Sequence, residues 1–232
     1  MNRTKVTVII ATLVLALSCV GLVSAKPGAS GYELFGNAAL VSPGHNSPTG
    51  VKLESAGTYP APTAFGGVDF AVPSGLTVAD LDYLGTDYNG PCGGGSPRFQ
   101  VNVIDPNDNQ VKNIFVYLEP CSAGWNNTGN LLDPTDNVDA SQIGGAFYMP
   151  YATVQSLYGS YQVVGIQLVV DGSWFFGGPQ DVLFDNVMVN TNLYTFESAD
   201  TCKKNGWMAY TGAPGPFKNQ GQCVSYFAKG GQ

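Results

Sequence analysis

The sequence predicts an all-β protein: a jelly-roll-like antiparallel β-sandwich with one short helix and a small disulfide-closed C-terminal appendage. Three observations carry this. Short apolar stretches recur between residues 50 and 196 with turn residues between them. Several of them alternate apolar with polar residues, the period of a half-buried strand. The repeated crossover helices that a parallel α/β sheet requires are missing from the pattern. Composition agrees: 44% of the 232 residues are hydrophobic, enough for a core, and 30 glycines with 15 prolines suit many turns.

Taken in order, residues 1–25 read as a signal peptide. Arg3 and Lys5 form a basic n-region, Val6 to Leu17 an apolar h-region, and Val23-Ser24-Ala25 a compact cleavage site before Lys26. The apolar run is shorter than the ~20 residues a bilayer span needs. A secreted, extracellular protein is therefore expected, with no transmembrane segment in the mature chain. Residues 26–49 are rich in Gly, Ser, Pro and Asn and read as an irregular lead-in. Residues 50–196 read as the sandwich.

The expected strands of that sandwich are 50–54, 65–72, 81–88, 98–104, 113–118, 138–143, 163–170, 182–189 and 193–196. Phe99, Val101 and Val103 share one face of their strand; Arg98, Gln100 and Asn102 share the other. In Ile114-Phe115-Val116-Tyr117-Leu118 both faces are apolar, which predicts a central strand between layers. Asp105 to Gln110 has hairpin-turn composition. Thr77-Val-Ala-Asp80 has the spacing of a capped single turn. The one convincing helix starts at Pro150, places Tyr151, Val154, Leu157 and Tyr158 on one face, and ends at Gly159. Residues 197–232 read as a disulfide-stapled tail with a cluster of aromatics, too short to bury a core without its bridge.

Charge and cysteine usage bound the chemistry. Ten basic against 17 acidic residues give a net charge of −7, which argues against a nucleic-acid partner. Cys19 leaves with the leader, and the remaining Cys92, Cys121, Cys202 and Cys223 read as disulfides of an exported chain. Four cysteines allow three pairings. Cys92–Cys121 with Cys202–Cys223 is the expected one, because each bridge then staples one local unit. His45 is the only histidine and sits in a loop-like stretch, so Ser-His triads and zincin sites are disfavoured.

Candidate binding residues come from aromatics at or near loops. Trp125 and Trp174 suit stacking on sugar rings, with Asn126, Asn127 and Asp171 as nearby polar contacts. Core-capping is the competing role for the same aromatics. Asp185 lies on a side shared with Leu183, Val187 and Val189, and a carboxylate there needs a partner: a backbone donor, Arg98, or a structural Ca²⁺ held with Glu54 or Glu197. Asp105-x-Asn107-x-Asn109 begins like a Ca²⁺ loop, but its sixth residue is Gln110 and its twelfth Val116, so that match fails. Catalytic residues are not assigned.

Three stretches point to known proteins. The first is Thr86-Asp-Tyr-Asn89 followed by Cys92-Gly-Gly-Gly-Ser-Pro-Arg-Phe-Gln-Val-Asn-Val103. The second is Val164-Gly-Ile-Gln-Leu-Val-Val-Asp171 with Val182-Leu-Phe-Asp-Asn-Val187. The third is Cys202-Lys-Lys-Asn-Gly-Trp207 with Phe217-Lys-Asn-Gln-Gly-Gln-Cys-Val-Ser-Tyr226. Together they resemble a group of uncharacterised secreted bacterial proteins that have a carbohydrate-binding-module-like jelly roll and a C-terminal Cys-stapled tail. The resemblance implies export and the jelly roll, and leaves the activity open.

The leading functional expectation is a secreted non-catalytic binding protein for carbohydrate or cell-envelope glycan. The alternative is a structural or adhesive surface protein that binds other proteins through its aromatic, basic tail. A glycan-degrading hydrolase with paired carboxylates is the second alternative, since that chemistry needs no histidine.

Overall fold

The computed structural model describes residues 31–56, 65–172, 179–212 and 214–229. The expected signal peptide and Trp174 lie outside the described residues. In chain order the strands are β1 (Tyr32–Gly36), β2 (Ala38–Val41), β3 (Gly50–Ser55), β4 (Gly66–Phe70), β5 (Leu84–Asn89), β6 (Arg98–Asp105), β7 (Gln110–Tyr117), β8 (Trp125–Asn127), β9 (Asn137–Val138), β10 (Met149–Pro150), β11 (Gln162–Val170), β12 (Gln180–Val189) and β13 (Asn192–Tyr194). The helices are α1 (Tyr151–Tyr158) and α2 (Gln220–Ala228).

A five-stranded sheet runs β1-β4-β11-β6-β7, and a six-stranded sheet runs β2-β3-β12-β5-β8 with β13 beside β12. Every strand pair in both is antiparallel. The sheets share one apolar core, as a β-sandwich requires. Phe99, Val101 and Val103 of β6 and Ile166 and Leu168 of β11 fill it from one side; Val51, Leu53, Val182 and Phe184 fill it from the other. Side chains one residue along each strand point outward, so the alternation seen in Arg98–Ile104 holds in space.

Both disulfides pair as expected, with Cα–Cα separations of 5.5 Å for Cys92–Cys121 and 5.7 Å for Cys202–Cys223. The Asp105 hairpin closes β6 onto β7. The Asp105 carboxyl is held down at about 2 by its bond to Lys112 and by the Asn107 backbone N–H. The Thr77 turn is capped as its spacing predicts: Asp80 Oδ2 accepts from Thr77 N at 3.1 Å and from Thr77 Oγ1 at 2.6 Å.

Five expectations are corrected. The lead-in 26–49 contains β1 and β2, edge strands whose short alternation is hidden among turn-forming residues; Tyr32 and Leu34 pack on the core. The stretch 138–143 is the end of β9 followed by a 3₁₀ turn over Ser141–Ile143, with Gly144 in the left-handed region at φ 90°. The strand at 113–118 is not central: β7 is the edge of its sheet, and its second apolar face is open. A bulge in β12 between Asp185 and Met188, with Asn186 at φ 49°, turns Val187 inward; Asp185 therefore leaves the side occupied by Val187 and Val189. A second helix, α2, lies in the tail, where the Asn219 side chain accepts from Gln222 N at 2.9 Å as its N-cap.

The tail carries its own small core of Cys202, Tyr210, Phe217 and Cys223. It meets the sandwich through Thr211 N, which donates to Asn46 O at 2.9 Å. Phe99 is fully buried between the sheets. Phe99→Ala is expected to cost about 3–5 kcal/mol, measured by urea denaturation against the parent protein.

Candidate functional site

The outward side of the five-stranded sheet is built by the strand register. Asp69, Gln167, Gln100 and Phe115 stand opposite one another across β4, β11, β6 and β7. One row along come Gly67, Val169, Arg98 and Tyr117. The first row is bonded side chain to side chain. Gln167 Nε2 donates to Asp69 Oδ1 at 2.6 Å, and Gln100 Nε2 donates to Gln167 Oε1 at 3.1 Å. Burial pushes the Asp69 carboxyl up from its ordinary value, with the Gln167 bond opposing. Gly67 lets the Phe35 ring lie over the second row, since a Cβ there would sit 2.1 Å from that ring and displace it.

At the β7 edge the rows end in a cleft of about 850 Å³. Phe115 and Tyr117 form its floor. One wall is the Gly93-Gly94-Gly95 turn, in which all three glycines have positive φ, tied back by the Cys92–Cys121 bridge. The opposite wall is an arm, residues 135–148, that carries Phe147 and Tyr148 at 54% and 64% exposure. Their rings meet edge to face at 4.8 Å, and Phe147 lies 6.2 Å from Tyr117.

Asp139 holds that arm. Its backbone exchanges two 2.9 Å hydrogen bonds with Phe115, and its side chain accepts from Tyr117 Oη and from Ser141 N, both at 2.9 Å. Burial first, then the Asp139 carboxylate, push the Tyr117 hydroxyl well above its ordinary value. Arg98 braces the other wall. Its Nη1 and Nη2 donate to the two oxygens of Asp171 at 2.8 and 2.6 Å, Nη1 also donates to Gly95 O at 2.9 Å, and the guanidinium lies 4.9 Å from the Phe115 ring centre. Arg98 is thereby neutralised. The charges left along the cleft are Glu119, Asp136 and Asp139.

The sequence-predicted binding residues are not gathered in one place. Asp171 stands behind the cleft wall, committed to Arg98. Trp125 is on β8 at the edge of the other sheet, stacked on His45 at 4.5 Å. Asn126 is buried, donating to Ser122 O at 2.9 Å and Gly124 O at 3.0 Å. Asn127 donates to Asp87 Oδ1 at 2.6 Å. Phe115, Tyr117, Phe147 and Tyr148 were not anticipated. Their signal was present in the doubly apolar stretch 113–118 and in two adjacent aromatics following Gly144-Gly145.

The metal candidates separate too. Glu54 pairs with Lys52 at 2.6 Å, whereas Asp185 lies beneath the 42–49 loop together with Glu197. Asp185 accepts from His45 N at 2.8 Å, Ser47 Oγ at 2.6 Å and Asn186 N at 2.8 Å; Arg98 plays no part. Asp87 accepts from His45 Nδ1 at 2.9 Å and Asn186 Nδ2 at 2.7 Å. Burial raises Asp185 to about 6; burial and the Asp185 charge raise Glu197 to about 8. Among the described residues, no three Asp, Glu, His or Cys side chains are arranged to hold a metal ion.

No family model and no curated protein matches the chain. Solved structures do. The family 11 carbohydrate-binding module of a cellulosomal cellulase of Clostridium thermocellum matches at 13% identity and TM-score 0.38, over 68% of this chain and 82% of that one. The family 30 module of another cellulosomal cellulase of that organism matches at 10% and 0.40, over 70% and 88%. A non-crystalline cellulose-specific family 28 module matches at 14% and 0.36, over 68% and 86%. At such identities and scores these likenesses carry no functional weight.

Two outcomes follow from the site. Asp139→Ala strips Tyr117 Oη and Ser141 N of their acceptor, so it should cost about 1–3 kcal/mol and speed proteolytic cutting of the 140–148 arm. The second concerns pH. Asp185 and Glu197 titrate in the folded protein above their ordinary 3.8 and 4.5. The folded state therefore binds more protons than the unfolded chain between about pH 4 and pH 8, and this contribution to stability falls as pH rises through that window. The melting temperature should drop from pH 5 to pH 8, and Glu197→Gln should remove most of the drop.

Proposed function

We propose that the protein is a secreted, non-catalytic glycan-binding protein whose ligand lies in the cleft against β7. The observation that carries this is the pair of exposed rings, Phe147 and Tyr148, held beside Phe115 and Tyr117 in a cleft whose floor residue Phe115 ends the Asp69–Gln167–Gln100 row. Sugar rings present an apolar C–H face and a rim of hydroxyls. Aromatic faces suit the first, and side-chain amides and carboxylates suit the second. A volume of about 850 Å³ suits a bound oligosaccharide segment.

The charge pattern selects within that class. With Arg98 tied to Asp171, the cleft offers an anionic polymer no free cation among the described residues, and Glu119 and Asp136 repel it. A neutral glycan is therefore the favoured ligand. Two disulfides in the described chain support an oxidising, extracellular destination.

Affinity electrophoresis tests the reading, with gels containing hydroxyethylcellulose, mixed-linkage β-glucan, xylan, galactomannan, agarose or polygalacturonate. At least one neutral polymer should retard the protein and polygalacturonate should not. Tyr148→Ala and Phe147→Ala should each weaken retention about tenfold, the scale of one lost stacking contact. Retention by polygalacturonate alone, or unchanged retention in both variants, overturns the assignment. Release of reducing sugar from any of these polymers reassigns the cleft to a hydrolase.

A further inference from the structure

A second surface lies on the opposite sheet. The register of β5, β8 and β12 sets Leu183, Asn89 and Trp125 side by side on the outward side of the six-stranded sheet, each half-buried. The indole is fixed from one side. His45 stacks on it at 4.5 Å with planes 12° apart, and His45 is anchored through Nδ1 to Asp87, which Asn127 and Asn186 hold in turn. His45 is the one ring stacked on Trp125 among the described residues.

Gly124, next to Trp125 in the chain, and Asn89, its partner in the sheet, both line a depression of about 310 Å³. Asn89, Gly90 and Pro91 line one side and Ser122, Ala123 and Gly124 the other, with the Cys92–Cys121 bridge at the base. Asn89 lines it, and its side-chain amide makes no hydrogen bond among the described residues. Asn126 sets the shape of this rim, since its amide is spent on Ser122 O and Gly124 O.

A pre-oriented aromatic plane, a free amide and a cavity at the small end of the ligand-site range make a sugar-ring subsite. We propose that Trp125 and Asn89 form a second neutral-glycan site, so that one molecule binds two sugar segments on opposite sheets. This rests on the glycan reading of the cleft. The two sites lie on either side of the Cys92–Cys121 loop; two sites on one sandwich can bridge polymer chains, and retention on a polysaccharide then exceeds what either site supports alone.

The test uses the same polysaccharide gels, together with clouding of the soluble form of whichever polymer retards the protein. Trp125→Ala should weaken retention about tenfold and abolish clouding, as should Tyr148→Ala, and the double variant should run unretarded. Asn89→Ala removes the amide and leaves the Trp125–His45 pair its own contacts; it should reproduce the loss of clouding, which covers the case in which Trp125→Ala fails to fold. Retention and clouding equal to the parent in both Asn89→Ala and a folded Trp125→Ala overturn the second site. If Tyr148→Ala still weakens retention in that case, the cleft stands alone. No retardation by any neutral polymer removes both.

Discussion

The pairing of β11 between β4 and β6 is the constraint on which the rest of the structure depends. It places Ile166 and Leu168 against the other sheet and Gln167 between Asp69 and Gln100 on the outside. Side chains alternate with a period of two, so a slip of one residue would send the amide ladder into the core and the aliphatic residues into water. The irregularity between Val163 and Gly165 absorbs an extra residue at the start of β11 and leaves the rest of the register intact. One set of backbone bonds thereby secures both the core and the surface beside the cleft.

The outer face can carry chemistry because the inner face already supplies the cohesion. That division was largely legible in the amino-acid sequence. The alternation of Phe99, Val101 and Val103 with Arg98, Gln100 and Asn102 appears in space as core and exterior, and both disulfides join the cysteines that local stapling predicts. The misreading of β7 has a physical cause. A strand apolar on both sides signals two covered faces whether the second cover is a layer of protein or a bound ligand. Periodicity cannot separate those cases, because it records only that water is unfavourable there. Phe115 and Tyr117 were in plain view, and what was missing was the sheet order that puts β7 at an edge.

Other features depend on contacts far apart along the chain. The β12 bulge turns on Asn186 in the left-handed region, and nothing in Leu183–Val189 distinguishes a bulged strand from a regular one. The burial of Asp185 follows from a loop 138 residues earlier that supplies Ser47 as a donor. Asp139 falls within the expected strand 138–143 and carries no signal of its own; its role comes from the bridge to Phe115 and the Tyr117 hydroxyl, partners brought to it by the sheet edge. In each case a common residue type acquires a special job from tertiary position.

Arg98 shows how position also settles the electrostatics of the cleft. It is the single arginine after the expected leader, and every strong contact it makes is internal: both oxygens of Asp171, Gly95 O and the face of Phe115. A planar guanidinium can satisfy a carboxylate with two parallel bonds while its flat side rests on a ring, whereas a lysine ammonium offers a point charge without that plane. The pairing binds the start of β6, the glycine turn and the residue after β11 into one wall. It also consumes the one cation that lines the cleft among the described residues. What the cleft then exposes is ring faces and hydrogen-bonding oxygens, with Glu119 and Asp136 as its unpaired charges among the described residues.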